Sequence, residues 1–132
     1  MFEWKPEYTV QIGSIDNQHQ QLFEIGRELH AAMSKGAGKE VLGKTLDRLI
    51  KYTAVHFAHE EQAQIAAGYP DFAAHKALHV ALIKKVQEFQ KKIAEGQAAV
   101  TIELLDFVQN WLSNHILKED HKYIPFLKGK AA

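Results

Sequence analysis

The sequence has 132 residues, 46% of them hydrophobic, with 16 basic and 16 acidic side chains. This length fits one domain with one hydrophobic core, residues 1–132. The formal net charge of zero gives no support to a nucleic-acid-binding or membrane-surface protein. The absence of cysteine excludes disulfides, thiolate catalysis and zinc–thiolate sites.

The N-terminus lacks a basic stretch followed by an apolar run, so we expect no signal peptide. No stretch approaches the roughly 18 consecutive apolar residues of a membrane-spanning helix, so we expect no membrane insertion. A cytoplasmic location is therefore the default expectation.

Glycine and proline divide the chain into four segments rich in Ala, Leu, Lys, Glu and Gln, which favour helix. The predicted helices cover 16–34, 39–67, 71–95 and 101–119. Ser14 or Asp16 is expected to cap the first helix, and Thr101 the fourth. Gly68 and Gly96 are expected to end the second and third helices.

Apolar residues recur in each segment at alternating spacings of three and four, which is typical of a helix facing the core of a bundle. Short connections favour antiparallel packing of consecutive helices. We therefore predict an all-α fold, an up-down-up-down antiparallel four-helix bundle. An N-terminal loop should precede the bundle, and a short C-terminal segment should follow it.

Six core-facing positions carry polar residues where Leu or Ile would be expected. They are His19, His56, Glu60, His75, His79 and His115. Burying a carboxylate or an unpaired imidazole costs several kcal/mol unless its polar atoms find partners. One core histidine bonded to a carbonyl would be ordinary, but six such residues need a common cause.

The same six residues lie at one depth in the predicted bundle. In the first and last hairpins the histidines stand about 14 to 17 residues, or roughly 21–25 Å, from the connecting loop. Glu60 and His75 lie within about seven residues of the middle loop. All four helices thus deliver polar side chains to one level, and a metal site would satisfy them together.

Asp120 is a seventh candidate, but spacing alone does not place it. It follows His115 by five residues, which is about 140° around an α-helix. Asp120 reaches the site only if the fourth helix loosens near 118–120 or its side chain bends inward. The alternative is a solvated acid beside Lys118 and Lys122.

The ligand chemistry favours two metal ions of the iron type. Imidazole and carboxylate ligands are too nitrogen-rich for calcium or magnesium and too many for one tetrahedral zinc. Five imidazoles, two bridging carboxylates and a bridging oxygen would leave one octahedral position open for a small molecule. The stretch HKALH lacks the Glu of a zinc-protease HExxH motif, and the Glu-x-x-His of ferritin-like di-iron bundles is absent.

At these residues the chain resembles the bacterial hemerythrins, over nearly its whole length. The matching stretches are IDNQHQQLF, HFAHEE, GYPDFAAHKALH and WLSNHILKED. The resemblance implies two iron ions with an oxo or hydroxo bridge, and it makes Asp120 a ligand. The implied ligands of one iron are His75, His79 and His115. The implied ligands of the other iron, which keeps the open position, are His19 and His56, and the implied bridges are Glu60 and Asp120.

The same resemblance implies reversible O2 binding rather than enzymatic catalysis. The implied apolar wall of the O2 pocket is Trp111, Leu112, Ile116 and Phe57, although a plain core position is the alternative interpretation of Phe57. We expect a monomeric carrier, store or delivery protein for an O2-consuming enzyme. The alternative is a di-iron enzyme or sensor that handles peroxide, NO or iron. A sensor would need an output domain, and we expect none here. His30, His59 and His121 have no place in the pattern.

Overall fold

The computed structural model describes residues 2–36, 38–97 and 101–128, and its main elements are four long helices. They are α1 (Gly13–Ser34), α2 (Lys39–Ala67), α3 (Phe72–Ala94) and α4 (Thr101–Asn114). The chain continues from α4 through a π-helical turn, His115–Glu119, a 3-10 turn, Asp120–Tyr123, and a short helix α5, Ile124–Leu127. A further 3-10 turn, Pro6–Tyr8, lies in the N-terminal segment.

The four helices form a closed bundle. Helix α1 packs against α2 and α4, and α3 packs against the same two helices. With short loops between consecutive helices, this confirms the predicted four-helix bundle. Within the described ranges, no helix is long and apolar enough to cross a membrane.

The start of α1 differs from the prediction. The N-cap residue is Ile12, and no side chain caps the helix, so the capping roles predicted for Ser14 and Asp16 were wrong. The Asp16 carboxylate instead accepts hydrogen bonds from the backbone N–H of Val10 at 2.8 Å and from the Thr9 hydroxyl. Asp16 therefore ties the preceding segment to the first turns of α1.

The predicted glycine termini of α2 and α3 are confirmed. Gly68 and Gly96 have φ of 68° and 94°, in the left-handed region that favours glycine. The capping role predicted for Thr101 involves residues 98–100, which lie outside the described residues.

Two hydrophobic clusters fill the core and leave a polar layer between them. The larger cluster contains Leu22, Leu82 and Leu112, and the smaller cluster contains Ile15 and other residues near both chain ends. On α1 the order is Ile15, then His19, then Leu22, so about two turns lead from the small cluster through the polar layer to the large one. The polar layer therefore lies inside the bundle.

The N-terminal segment is held against α1 by Phe2. The Phe2 side chain is 3% exposed, and its ring lies only 2.5 Å from where a Cβ of Gly26 would stand. Gln109 accepts a hydrogen bond from the Phe2 backbone N–H at 2.9 Å, and Arg27 donates to the Phe2 carbonyl at 2.7 Å. Gly26 thus provides the space in which the Phe2 ring packs.

We expect Gly26→Ala to destabilise the protein by about 1–3 kcal/mol, because the new methyl group would overlap the Phe2 ring. The matched control is Gly43→Ala on α2, where a Cβ meets nothing within 4 Å. That substitution should stabilise the helix by about 0.5–1 kcal/mol. Denaturant unfolding measures both effects, and equal stabilities for the two variants would contradict the proposed packing of Phe2.

Candidate metal centre

The structure brings all seven predicted ligand residues into the polar layer. Helix α1 supplies one of them, α2 and α3 supply two each, and the segment after α4 supplies two. They are His19, His56, Glu60, His75, His79, His115 and Asp120, and none is more than 6% exposed. The burial of Asp120 excludes the alternative of a solvated acid.

The seven side chains divide into two groups that share a carboxylate. The larger group holds three histidines, and the smaller holds two. The larger group is Glu60, His75, His79, His115 and Asp120, and the smaller is His19, His56 and Glu60. Within each group the candidate ligand atoms all lie within 4.8 Å of one another.

Glu60 directs one oxygen to each group of histidines. Its Oε1 lies 2.9 Å from His75 Nε2 and 3.1 Å from His79 Nε2. Its Oε2 lies 3.6 Å from His19 Nε2 and 3.5 Å from His56 Nε2. A carboxylate oriented in this way can bridge two metal ions.

Asp120 also directs its two carboxylate oxygens to different groups of histidines. Its Oδ1 lies 3.1 Å from His75 Nε2 and 3.0 Å from His115 Nε2. Its Oδ2 lies 3.2 Å from His19 Nε2. The second carboxylate therefore also spans the two groups.

A change of helix type brings Asp120 into the site. Residues His115–Glu119 form a π-helical turn, in which the backbone N–H of Asp120 donates to the carbonyl of His115. Hydrogen bonds from residue i+5 to residue i widen the turn, so residues five apart come onto one face. This is the loosening that Asp120 needed, and it shows that the prediction of a regular helix over 101–119 was wrong at its end.

The donor set fits a pair of metal cations. The Nε2 atoms of His79 and His75 lie 3.1 and 3.2 Å from His115 Nε2, and both oxygens of Asp120 are buried without a hydrogen-bond partner. Converging imidazole lone pairs and carboxylate oxygens repel one another unless a cation lies between them. Nitrogen and oxygen ligands without sulfur suit iron.

The hydrogen bonds on the far side of two rings fix the direction of their lone pairs. Glu61 Oε2 lies 2.9 Å from His79 Nδ1, and Gln18 Oε1 lies 2.8 Å from His56 Nδ1. Because both partners are acceptors, each Nδ1 carries the proton and each Nε2 presents its lone pair to the centre.

Without a metal, the site retains protons instead. Burial disfavours the charged form of His19 and of His75, but the adjacent carboxylates of Asp120 and Glu60 outweigh it and raise the pKa of each to about 9. Burial lowers the pKa of His56 to about 3 despite the neighbouring carboxylates. Burial alone would raise the pKa of Glu60, but hydrogen bonds from the histidines hold it well below its usual value.

Aromatic rings cover the larger group. The Phe57 ring stacks on His79 at a centroid distance of 3.6 Å, and the Trp111 ring stacks on His115 at 4.2 Å. Leu112 and Ile116 are buried in the same hydrophobic cluster as Phe57. Of the four predicted pocket residues, Phe57 and Trp111 therefore lie against ligands of the larger group.

The remaining histidines stay outside the cluster. His59 is exposed and lies 3.1 Å from the Ser14 hydroxyl, and His121 Nε2 donates to the carbonyl of Thr9 at 3.1 Å. His30 is partly buried on α1.

Comparison with known proteins agrees with this geometry. The family model of the Hemerythrin HHE cation binding domain matches residues 10–127. The chain belongs to the hemerythrin family. A bacteriohemerythrin from Methylococcus capsulatus is 41% identical over 123 residues, which cover 93% of each chain. A myohemerythrin from Theromyzon tessulatum is 27% identical over 129 residues, covering 98% of this chain and 92% of its own.

Solved structures show the same fold. A crystal structure of wild-type hemerythrin has a TM-score of 0.87 and 40% identity, and the match covers 95% of this chain and 96% of that one. A crystal structure of a leucine-to-alanine mutant of hemerythrin gives the same TM-score at 39% identity, and the match covers 95% of each chain. The predicted resemblance to the hemerythrins is therefore confirmed.

Three residues next to the hemerythrin site were missed by the sequence analysis. Gln18 and Glu61 each adjoin a ligand in the sequence, which was the available signal, but neither lies on the core-facing stripe of its helix. Tyr123 is fully buried and donates its hydroxyl hydrogen to Glu60 Oε2 at 2.9 Å. Burial and two carboxylates raise the Tyr123 pKa well above its usual value, so the hydroxyl remains a donor.

We expect metal loading to release protons. Because the pKa values of His19 and His75 are about 9 without metal, both rings are protonated at pH 8. Anaerobic loading with ferrous iron at that pH should release nearly two protons per chain, and apparent affinity should rise about 100-fold between pH 7 and 8. This contribution ends above pH 9, where the metal-free rings are already neutral.

A pH-indicator titration in weak buffer measures the release. His30→Gln changes a histidine outside the cluster and should leave the proton count unchanged. An affinity that is the same at both pH values would contradict the prediction.

Proposed function

We propose that this protein binds O2 reversibly at a dinuclear iron centre held by the seven buried residues. The larger group, His75, His79 and His115, would hold one iron, and His19 and His56 would hold the other. Glu60 and Asp120 would bridge them. The observation that carries the proposal is the division of both carboxylates between three histidines on one side and two on the other.

The unequal number of histidines leaves room for a ligand at the second iron. When bound, the iron pair supplies the electrons that reversible O2 binding requires. The protein's own contribution is to orient the imidazoles through their Nδ1 hydrogen bonds and to surround the centre with apolar side chains. Such surroundings exclude water, which would otherwise favour irreversible oxidation.

A carrier fits the surroundings better than an enzyme. The four predicted pocket residues, Phe57, Trp111, Leu112 and Ile116, carry no titratable group that could act as an acid or base for turnover. We propose a monomeric, cytoplasmic carrier or store that delivers O2 to an O2-consuming enzyme.

We expect the purified protein to contain two iron ions per chain, in proportion to the two ligand groups. The ferrous protein should gain a visible absorption in air and lose it again under vacuum. His75→Ala should abolish the colour and the stoichiometric iron, because His75 contacts both carboxylates. His30→Ala, outside the cluster, is the matched control.

Two measurements decide the outcome, elemental analysis for iron and repeated cycles of oxygenation monitored by optical absorption. Irreversible oxidation in the first cycle, without a reversible absorption change, would contradict the carrier function. Turnover of peroxide or NO far above that of free iron would favour the enzyme instead.

We further expect Leu112→Asn to accelerate irreversible oxidation several-fold. Leu112 is 4% exposed, and an amide at this position would draw water towards the centre. Leu112→Met keeps the volume and the apolar character and should oxidise at nearly the original rate. The decay of the oxygenated absorption in air measures both rates. Equal rates for the two variants would contradict the assignment of Leu112 to the O2 pocket.

A further inference from the structure

The two groups of histidines differ in the charge of the side chain that accepts a hydrogen bond from the Nδ1–H of a ligand histidine. In the larger group the His79 Nδ1–H donates to a carboxylate oxygen of Glu61 at 2.9 Å. In the smaller group the His56 Nδ1–H donates to the amide oxygen of Gln18 at 2.8 Å. The two hydrogen bonds are nearly equal in length, but one acceptor carries a negative charge and the other is neutral.

Helix geometry builds the two contacts in the same way. Glu61 follows the ligand Glu60 on α2, and its side chain reaches the ligand on α3. Gln18 precedes the ligand His19 on α1, and its side chain reaches the ligand on α2. Helices α1 and α2 therefore each supply a ligand from one position, and from the adjacent position each accepts a hydrogen bond from a ligand on the next helix.

The surroundings of Glu61 suit an anionic carboxylate. Its side chain remains 17% exposed, whereas the His79 side chain is 2% exposed. Glu61 lines a surface groove of about 460 Å³ between α2 and α3, together with Lys76 and Lys84. The carboxylate thus borders an open groove on one side and contacts the ligand His79 on the other.

The difference in charge has a chemical consequence for the metal. An anionic acceptor strengthens the Nδ1–H bond and makes the opposite nitrogen of the ring a stronger donor. A stronger donor stabilises ferric over ferrous iron, and a neutral amide does so less. The ring of His79 is therefore a better ligand for ferric iron than the ring of His56.

We propose that Glu61 is a positioning residue that makes the three-histidine iron the more easily oxidised of the pair, while the neutral Gln18 favours the ferrous state at the two-histidine iron. This inference rests on the proposed di-iron function. It attributes a difference in the ease of oxidation of the two irons to the charge of Glu61, which is not itself a ligand.

The test removes or adds this charge while keeping the hydrogen bond. In the iron-loaded protein, Glu61→Gln retains an acceptor but removes the negative charge, and Gln18→Glu adds one at the other histidine. Glu40→Gln is the matched control, because Glu40 lies on the same helix and lines the far part of the same surface between α2 and α3. The reduction potentials of the first and second one-electron oxidations are measured anaerobically with ferricyanide as oxidant.

We expect Glu61→Gln to shift the ferric/ferrous equilibrium of the first step, at the three-histidine iron, about tenfold towards ferrous, which is about 59 mV for one electron. Gln18→Glu should lower the potential of the second step, at the two-histidine iron, and Glu40→Gln should leave both potentials unchanged. Because O2 binding draws electrons from the iron pair, Glu61→Gln should also weaken O2 affinity.

Iron analysis separates the two ways in which the idea can fail. If the unmodified protein does not hold two irons per chain, the proposed function itself is wrong. If Glu61→Gln holds two irons but has the potential of Glu40→Gln, Glu61 has only a structural role and the inference is wrong. If Glu61→Gln loses iron, Gln18→Glu decides, since an unchanged second potential in that variant would equally overturn the inference.

Discussion

Two carboxylates shared between five buried imidazoles are the interaction on which the rest of the structure depends. Glu60 and Asp120 are both fully buried, and each directs its two oxygens to different histidines. Removing so many polar groups from water costs several kcal/mol for each ion unless the interior compensates. Iron would supply that compensation, so metal binding contributes directly to folding free energy.

The arrangement of the core follows from this constraint. Hydrophobic clusters on both sides of the polar layer exclude water, and the helices hold the ligands at one level because their core-facing residues step by threes and fours. The one place where a regular α-helix could not deliver a ligand is the C-terminal end of α4. There the π-helical turn after Asn114 brings Asp120 onto the face of His115. The backbone thus adapts locally to complete the site.

Much of this could be predicted from the sequence, for identifiable physical reasons. Helix periodicity and loop signals predicted the bundle, and polar residues at apolar positions predicted six of the seven clustered residues. Asp120 could not be placed in this way, because the prediction assumed α-helical geometry through 119. Gln18 and Glu61 were missed because they lie beside the core-facing stripe, where polar residues are ordinary. The packing of Phe2 on Gly26 was also beyond prediction, since no periodic pattern connects a loop to a helix.

The asymmetry of the centre has two sources that act in the same direction. Three imidazoles would donate to one metal and two to the other, and the larger set also has the anionic partner, Glu61. Tyr123 adds to this difference, because its hydroxyl donates to Glu60 Oε2, the oxygen that faces the smaller set. A carboxylate oxygen that accepts a hydrogen bond has less electron density to give a metal. The surrounding side chains therefore increase donation at the three-histidine position and reduce it at the two-histidine position, where the open coordination site would lie.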